Sequence, residues 1–314
     1  MGRGSGFGKT ILFGEHFVVY GVPGIASAID SVATAEVKKV VKGVNVTDER
    51  TNAKGYAEKK KLQQLESIQR MLKTMNMNPK NIAIDIWVGG NLPGFSGLGA
   101  SAASSVAIAR AIAEEFNLEL LDERINDIAY EAEKAYAGNP SGIDNTAATF
   151  GGLIWFKKNL NGGPNTIEQL SIPEPVEIVI GNTGIVANTK SMVAGVRERK
   201  RQNPKKYNVV FKQAKDLALR GRAALEAFDL KQVGELMNKN HHLLREIEVS
   251  CKELDYMVDL ARTKGAFGAK MTGGGGGGCI LALTPGKDLQ ENVALAIEND
   301  GFKVLRTKIG IRNI

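Results

Sequence analysis

Residues 273–278 are six consecutive glycines, led in by Lys270-Met271-Thr272 and followed by Cys279. Such a run has no side chains to bury and costs more backbone entropy on ordering than any other six residues, so a folded chain keeps it only where something must come close to the backbone. A phosphate group is the expected visitor. Two further glycine-bearing stretches, Gly4-Ser5-Gly6-Phe7-Gly8-Lys9 and Pro93-Gly94-Phe95-Ser96-Gly97-Leu98-Gly99-Ala100-Ser101, lie far away in sequence. Three such turns set in ordinary globular sequence predict one composite anion site.

Of the three, the second fits phosphate best. Gly97 and Gly99 leave backbone N–H groups unobstructed, and the Ala-rich segment from Ser101 reads as a buried helix whose positive dipole end would face the anion. Ser101 can ligate a hard cation, or it can serve as the helix N-cap. Gly8-Lys9-Thr10 invites a P-loop reading and fails it. That pattern needs glycine where Arg3 stands and a helix afterwards, whereas strand-like Ile11–Phe13 follows. Gly14-Glu15-His16, between two apolar runs, places a charged pair where it needs partners. Taken singly, Glu133 late in its helix is as well explained by a surface carboxylate, and Asp144 by a helix cap.

Together these segments resemble one family. Leu12-Phe13-Gly14-Glu15-His16-Phe17-Val18-Val19-Tyr20-Gly21, the loop 92–102, Gly138-Asn139-Pro140-Ser141-Gly142-Ile143-Asp144-Asn145 and the last glycine loop are similar to motifs of the galactokinase, homoserine kinase, mevalonate kinase and phosphomevalonate kinase superfamily. The Glu15-His16 segment, with Asn188-Thr189-Lys190 leading to Val193-Ala194-Gly195-Val196-Arg197, is most similar to its members that phosphorylate mevalonate. The resemblance covers nearly the whole chain in order.

It implies an α+β fold: a ribosomal-protein-S5-like nucleotide-binding domain over residues 1–170 and a ferredoxin-like domain over 171–314. It also implies ATP and Mg²⁺ as cofactors and mevalonate as the small-molecule partner. By motif position, Asp144 and Lys9 fall on the catalytic pair, and Ser101 and Glu133 on the metal ligands. Pro93, Gly97, Leu98, Gly99, Ala100, Ser101, Ala102, Gly274 and Gly275 fall on the nucleotide loops, and Glu15, His16 and Thr189 on the substrate side. Two departures stand out: Ala100 replaces a frequent serine, and Gly274 a frequent alanine. Phosphomevalonate or homoserine as acceptor, an ATP-dependent decarboxylation, and a silent ligand sensor are the competing activities. The Glu15-His16 segment argues against the decarboxylase, and the presence of Lys9, Ser101, Glu133 and Asp144 together argues against the sensor.

The elements that must position these groups can be read in outline. Strands are predicted at 10–13, 17–20, 32–37, 82–88, 151–156, 176–181, 279–283 and 302–308, and helices opening at 59–61 and running to about 75, from 101, over 121–137, near 190–200, over 205–247 and over 251–264. Residues 42–61 read as loop, and the polar stretch 157–175 as the domain boundary. The mixture lacks βαβ regularity, which predicts α+β.

Composition bounds the rest. A length of 314 residues with 43% hydrophobic and 24% charged residues allows two medium domains. Two cysteines and three histidines supply neither a disulfide framework nor a zinc site. No signal-like or membrane-spanning run is present, so a cytoplasmic protein without membrane partners is expected. The net charge of +7 is concentrated at 190–222, with eleven Lys or Arg against Glu198 and Asp216. That stretch lacks the interleaved aromatics of a single-strand binder, so no nucleic-acid partner is expected. Oligomeric state is open, with a homodimer among the alternatives.

Overall fold

The computed structural model describes residues 1–50, 56–93, 97–138, 140–186 and 188–312, without the side chains of 56–60. Gly94, Phe95 and Ser96 of the second glycine loop, and Asn139 of the 138–145 motif, lie outside the described residues. The chain forms two compact units, one of Met1–Lys9, Ala28–Gly151 and Arg312, the other of Thr10–Ser27 and Gly152–Ile311. The first unit leaves out residues 10–27 and ends its long segment at Gly151. Residues 10–27 join the second unit, because Gly24–Ser27 pair with the strand at 153–157.

In the first unit, β1 (Gly2–Phe13) pairs with β2 (Gly24–Lys39), both strands continuing into the second unit. β3 (Val44–Asp48) lies parallel to β4 (Ile84–Gly89), which runs antiparallel to β2. Helices α1 (Tyr56–Thr74), α2 (Ala100–Glu115), α3 (Asp122–Ala137) and α4 (Ile143–Phe150) complete the unit. The alternating glycines of β1 have a structural cause. A Cβ on Gly4 would stand 2.2 Å from the Ala107 carbonyl oxygen, and one on Gly6 2.3 Å from that of Ala103. Side chains alternate along a strand, so glycine at every second position gives β1 a bare face on which α2 lies directly. Gly4–Gly8 is thus strand and not a phosphate turn, which corrects the three-loop expectation. α2, rich in alanine, is buried nearly all round as its composition requires.

The second unit opens with the end of β1, followed by β5 (Leu153–Lys157) antiparallel to both Gly24–Ser27 and β6 (Thr166–Leu170). Next come β7 (Val176–Asn182), α5 (Thr189–Gln202), α6 (Pro204–Glu226), α7 (Leu230–Glu246), α8 (Lys252–Thr263), β8 (Gly268–Thr272), β9 (Cys279–Leu283), α9 (Lys287–Asn299) and β10 (Lys303–Ile309). The order β10–β7–β9–β8, antiparallel throughout, is that of a split βαβ, as the ferredoxin-like expectation demands.

Several elements differ from the sequence reading. Phe17–Tyr20 is no strand: Val18–Tyr20 is one 3₁₀ turn, and four apolar residues carry too little periodicity to separate the two. β3 and β6 lie in stretches whose polar residues read as loop. The helix over 205–247 is two helices, broken where Phe228 takes φ +54° and Asp229 caps α7 by accepting the Gln232 N–H at 3.0 Å. β8 and α9 went unread. No helix among the described residues is long and apolar enough to cross a membrane.

Candidate active site

In the first unit the candidate residues gather around the last residue it takes from β1. The Lys9 N–H donates to the Leu98 carbonyl at 2.8 Å, which ties the strand to the loop before α2. Gly99 then passes over the lysine's aliphatic stem. It takes φ +72°, and a Cβ there would meet Lys9 Cγ at 2.7 Å, so both its conformation and its contact require glycine. The lysine side chain is almost wholly buried, and its Nζ lies 3.1 Å from Asp144 Oδ1. Asp144 stands in the first turn of α4, behind the N-cap Gly142, and is 38% exposed. It is therefore no N-cap, and its carboxylate is open to solvent on one side and paired on the other.

Beside this pair, Ser101 Oγ donates to Glu133 Oε2 at 3.0 Å. The cap of α2 is Gly99, without a side-chain cap, so the serine hydroxyl is committed to the glutamate and not to the helix end. Glu133 is buried, and its Oε1 has no hydrogen-bond partner. Burial pushes its carboxyl up to about 8, with the Asp144 charge adding; Ser101, Lys9 and Ser105 pull the other way. A buried carboxylate oxygen without a partner, next to a hydroxyl, is a set of hard oxygen donors that fits a small divalent cation. Among the described residues no group of three or more His, Cys, Asp or Glu forms a metal cage. Arg50, unread in the sequence, forks onto Asp48 at 2.9 and 2.7 Å and donates to the Ala100 carbonyl at 3.2 Å, fixing the first turn of α2. No local pattern marks it.

In the second unit the Gly14–His16 turn is anchored from beneath. Glu15 and Lys270 form a fully buried ion pair; Lys270 Nζ also donates to the carbonyls of Ile11 at 3.1 Å and Met271 at 2.7 Å. The other carboxylate oxygen of Glu15 accepts from Asn240 Nδ2 at 3.2 Å. Both oxygens of Glu15 are thus engaged within the unit. His16 is buried at φ +60°, with Nε2 2.9 Å from the Gly274 carbonyl. A carbonyl only accepts, so Nε2 carries the proton and Nδ1, which has no partner, is a bare acceptor. Burial holds its pKa below the ordinary histidine value, against the bond to Gly274 and aided by the Arg199 charge, which keeps the ring neutral.

The six-glycine run is approached by the chain itself. The Gly276 N–H donates to the Val249 carbonyl at 2.8 Å, and a Cβ on Gly275 would fall 2.0 Å from that oxygen. The Gly278 N–H donates to the Ile185 carbonyl at 2.9 Å. A Cβ on Gly274 would stand 2.5 Å from the hydroxyl oxygen of Thr189, the first residue of α5. His16 and Thr189, distant in sequence, therefore meet the same glycine.

The family model described as GHMP kinases N terminal domain matches residues 64–152, and that described as GHMP kinases C terminal matches 222–303. A mevalonate kinase of Pyrococcus furiosus is 36% identical, the alignment covering 96% of this chain and 94% of the relative; one of Arabidopsis thaliana is 28% identical, covering 96% of each. Among solved structures, L. major mevalonate kinase in complex with R-mevalonate superposes with a TM-score of 0.92 at 35% identity, over all of this chain and 97% of that one. The Methanococcus jannaschii mevalonate kinase, 24% identical, shares the fold with a TM-score of 0.81 over 98% of each chain.

The raised Glu133 carboxyl has a consequence for stability. In the unfolded chain this group loses its proton near 4.5, and in the folded chain only near 8. Between those values the folded state holds the extra proton, so this group makes stability fall as pH rises through the window. Glu133→Gln cannot titrate, and its unfolding free energy should lack that slope between about pH 5 and 8. Denaturant unfolding of both proteins in metal-free buffer checks it; parallel pH profiles would contradict the raised value.

Proposed function

Since this chain belongs to the GHMP kinase family, we propose that it is a mevalonate kinase, transferring the γ-phosphoryl group of ATP to the 5-hydroxyl of mevalonate. The observation that carries this reading is the Lys9–Asp144 pair at 3.1 Å beside a buried glutamate with an unpartnered oxygen. The names of the relatives supply the acceptor.

Phosphoryl transfer asks a protein for position and charge more than for covalent work. Asp144 takes the proton of the attacking hydroxyl as its oxygen bonds to the γ-phosphorus and the bond to the β–γ bridging oxygen breaks, releasing ADP. Lys9 holds that carboxylate in place and brings an ammonium to the charge spread over the transferring group. Gly97, Leu98, Gly99, Ala100 and Ala102 present backbone at the positive end of α2, where triphosphate oxygens are favoured. Ser101 and Glu133 would hold Mg²⁺, which when bound supplies positive charge against the phosphate oxygens. In the second unit, the bare Nδ1 of His16 and the hydroxyl of Thr189 are the groups we assign to the acceptor. Glu15, with both oxygens engaged, serves by fixing the turn that carries His16.

ADP release measured with mevalonate, phosphomevalonate, homoserine and galactose tests the acceptor. Mevalonate should exceed the other three by about 10²-fold or more in kcat/KM, since a site built to bond one substrate's polar groups rejects those lacking them. A preference for phosphomevalonate would overturn the assignment. Ser101→Ala and Glu133→Gln should each raise the Mg²⁺ concentration for half-maximal activity by about tenfold or more with the fold intact. Magnesium titrations that overlay the parent curve in both variants would reduce these residues to packing.

A further inference from the structure

Most basic residues of α5 and α6 are exposed, as a solvated face requires, but Arg199 turns inward. Its Nε donates to the Tyr207 hydroxyl at 3.1 Å, and its Nη2 to the carbonyls of Ile247 at 2.7 Å and Glu248 at 3.3 Å. One helical turn earlier stands Gly195, where a Cβ would lie 3.0 Å from Arg199 Nη1. Glycine inside a helix costs about 1 kcal/mol relative to alanine. Room for the guanidinium is what this one provides.

The carbonyls that Arg199 holds belong to an unusual turn. Glu248 is a non-glycine residue at φ +61°, a conformation that persists when its surroundings fix it. The next residue, Val249, supplies the carbonyl that accepts the Gly276 N–H and fills the space beside Gly275. A guanidinium, two carbonyls, a left-handed turn and a glycine amide thus follow in unbroken contact. At its other end α5 reaches the same run directly, through Thr189 against Gly274, the residue whose carbonyl bonds His16.

We propose that Arg199 is a positioning residue of the acceptor site: it fixes the Glu248–Val249 turn, and through it the placement of the glycine run against which His16 and Thr189 are set. This rests on the assignment of those two residues to the acceptor. A lysine cannot replace it fully, because a single ammonium does not span a hydroxyl and two carbonyls as the planar fork does. Burial is the main cause that opposes a second proton on the His16 ring, and the Arg199 charge acts in the same sense.

Hydrogen exchange by mass spectrometry, paired with steady-state kinetics, tests the proposal on Arg199→Met, Arg199→Lys and the milder Tyr207→Phe. In Arg199→Met, amides of 247–250 and 273–279 should exchange about tenfold faster or more, the scale of a lost charged hydrogen bond, while β7 and β10 stay at parental rates. KM for mevalonate should rise by about tenfold, with kcat and KM for ATP within about twofold. Arg199→Lys should recover part of both effects, and Tyr207→Phe should show a smaller change of the same pattern. Unchanged loop exchange in these variants would overturn the proposal, and so would faster exchange spread evenly over the second unit, which would make Arg199 a general stabiliser. If the parent does not phosphorylate mevalonate, the acceptor assignment fails on that measurement, and the exchange pattern alone decides whether Arg199 governs the glycine run.

Discussion

An ammonium group can be buried only with a counter-charge beside it, and this requirement organises the first unit. Lys9 is almost wholly out of solvent, with Asp144 at 3.1 Å. Asp144 is partly exposed, so removing it would cost less than breaking a fully sealed pair, yet the buried ammonium still favours the one arrangement of strand and short helix that brings the carboxylate beside it. Every nearby choice supports that arrangement. Gly99 lies on the lysine stem, the Leu98 carbonyl takes the lysine's own N–H, and Gly142 caps α4 so that Asp144 falls in its first turn. Burial keeps the nearby Glu133 carboxyl protonated until about 8, with the Asp144 charge adding to it and the Lys9 charge opposing. A cation on Ser101 and Glu133 would have to displace that proton, so metal binding and proton release are coupled at this position.

The second unit obeys the same requirement with a different result. Lys270 and Glu15 are fully buried, and the remaining capacity of each is met by the Ile11 and Met271 carbonyls and by Asn240. A pair satisfied in this way has no group left over for a ligand. Its product is geometry: it holds the turn on which His16 sits at a positive φ, with one ring nitrogen bonded and the other bare. One lysine–carboxylate pair is open to solvent on the acid's side, while the other is sealed and can only position its neighbours.

What the sequence made legible follows from the reach of its signals. α2 and α3 announced themselves through alanine content and 3.6-residue periodicity, and Ser101, Glu133, Lys9 and Asp144 through motif position. Glycine proved ambiguous. At Gly4 and Gly6 it admits a helix onto a strand, at Gly99 a lysine stem, and at Gly275 a carbonyl of the same chain, three causes that look alike in one dimension. Lys270 carries no signal of its own beside the most conspicuous run in the chain, and neither do Arg50 and Arg199. Their partners lie at Glu15, Ala100 and Ile247, and pairings over such separations leave no local pattern.

The most direct test of the account is the turnover of Asp144→Asn, compared with parent for kcat, ATP affinity and melting temperature. Asparagine keeps the shape and can still bond the Lys9 ammonium, but it cannot take a proton from the attacking hydroxyl. Asp144→Asn should be a folded protein that binds ATP within a few-fold of parent and turns over about 10²-fold or more slowly, the scale of a positioned acid–base group. Near-parental turnover in that folded variant would contradict it, leaving Asp144 only as the counter-charge that lets Lys9 be buried.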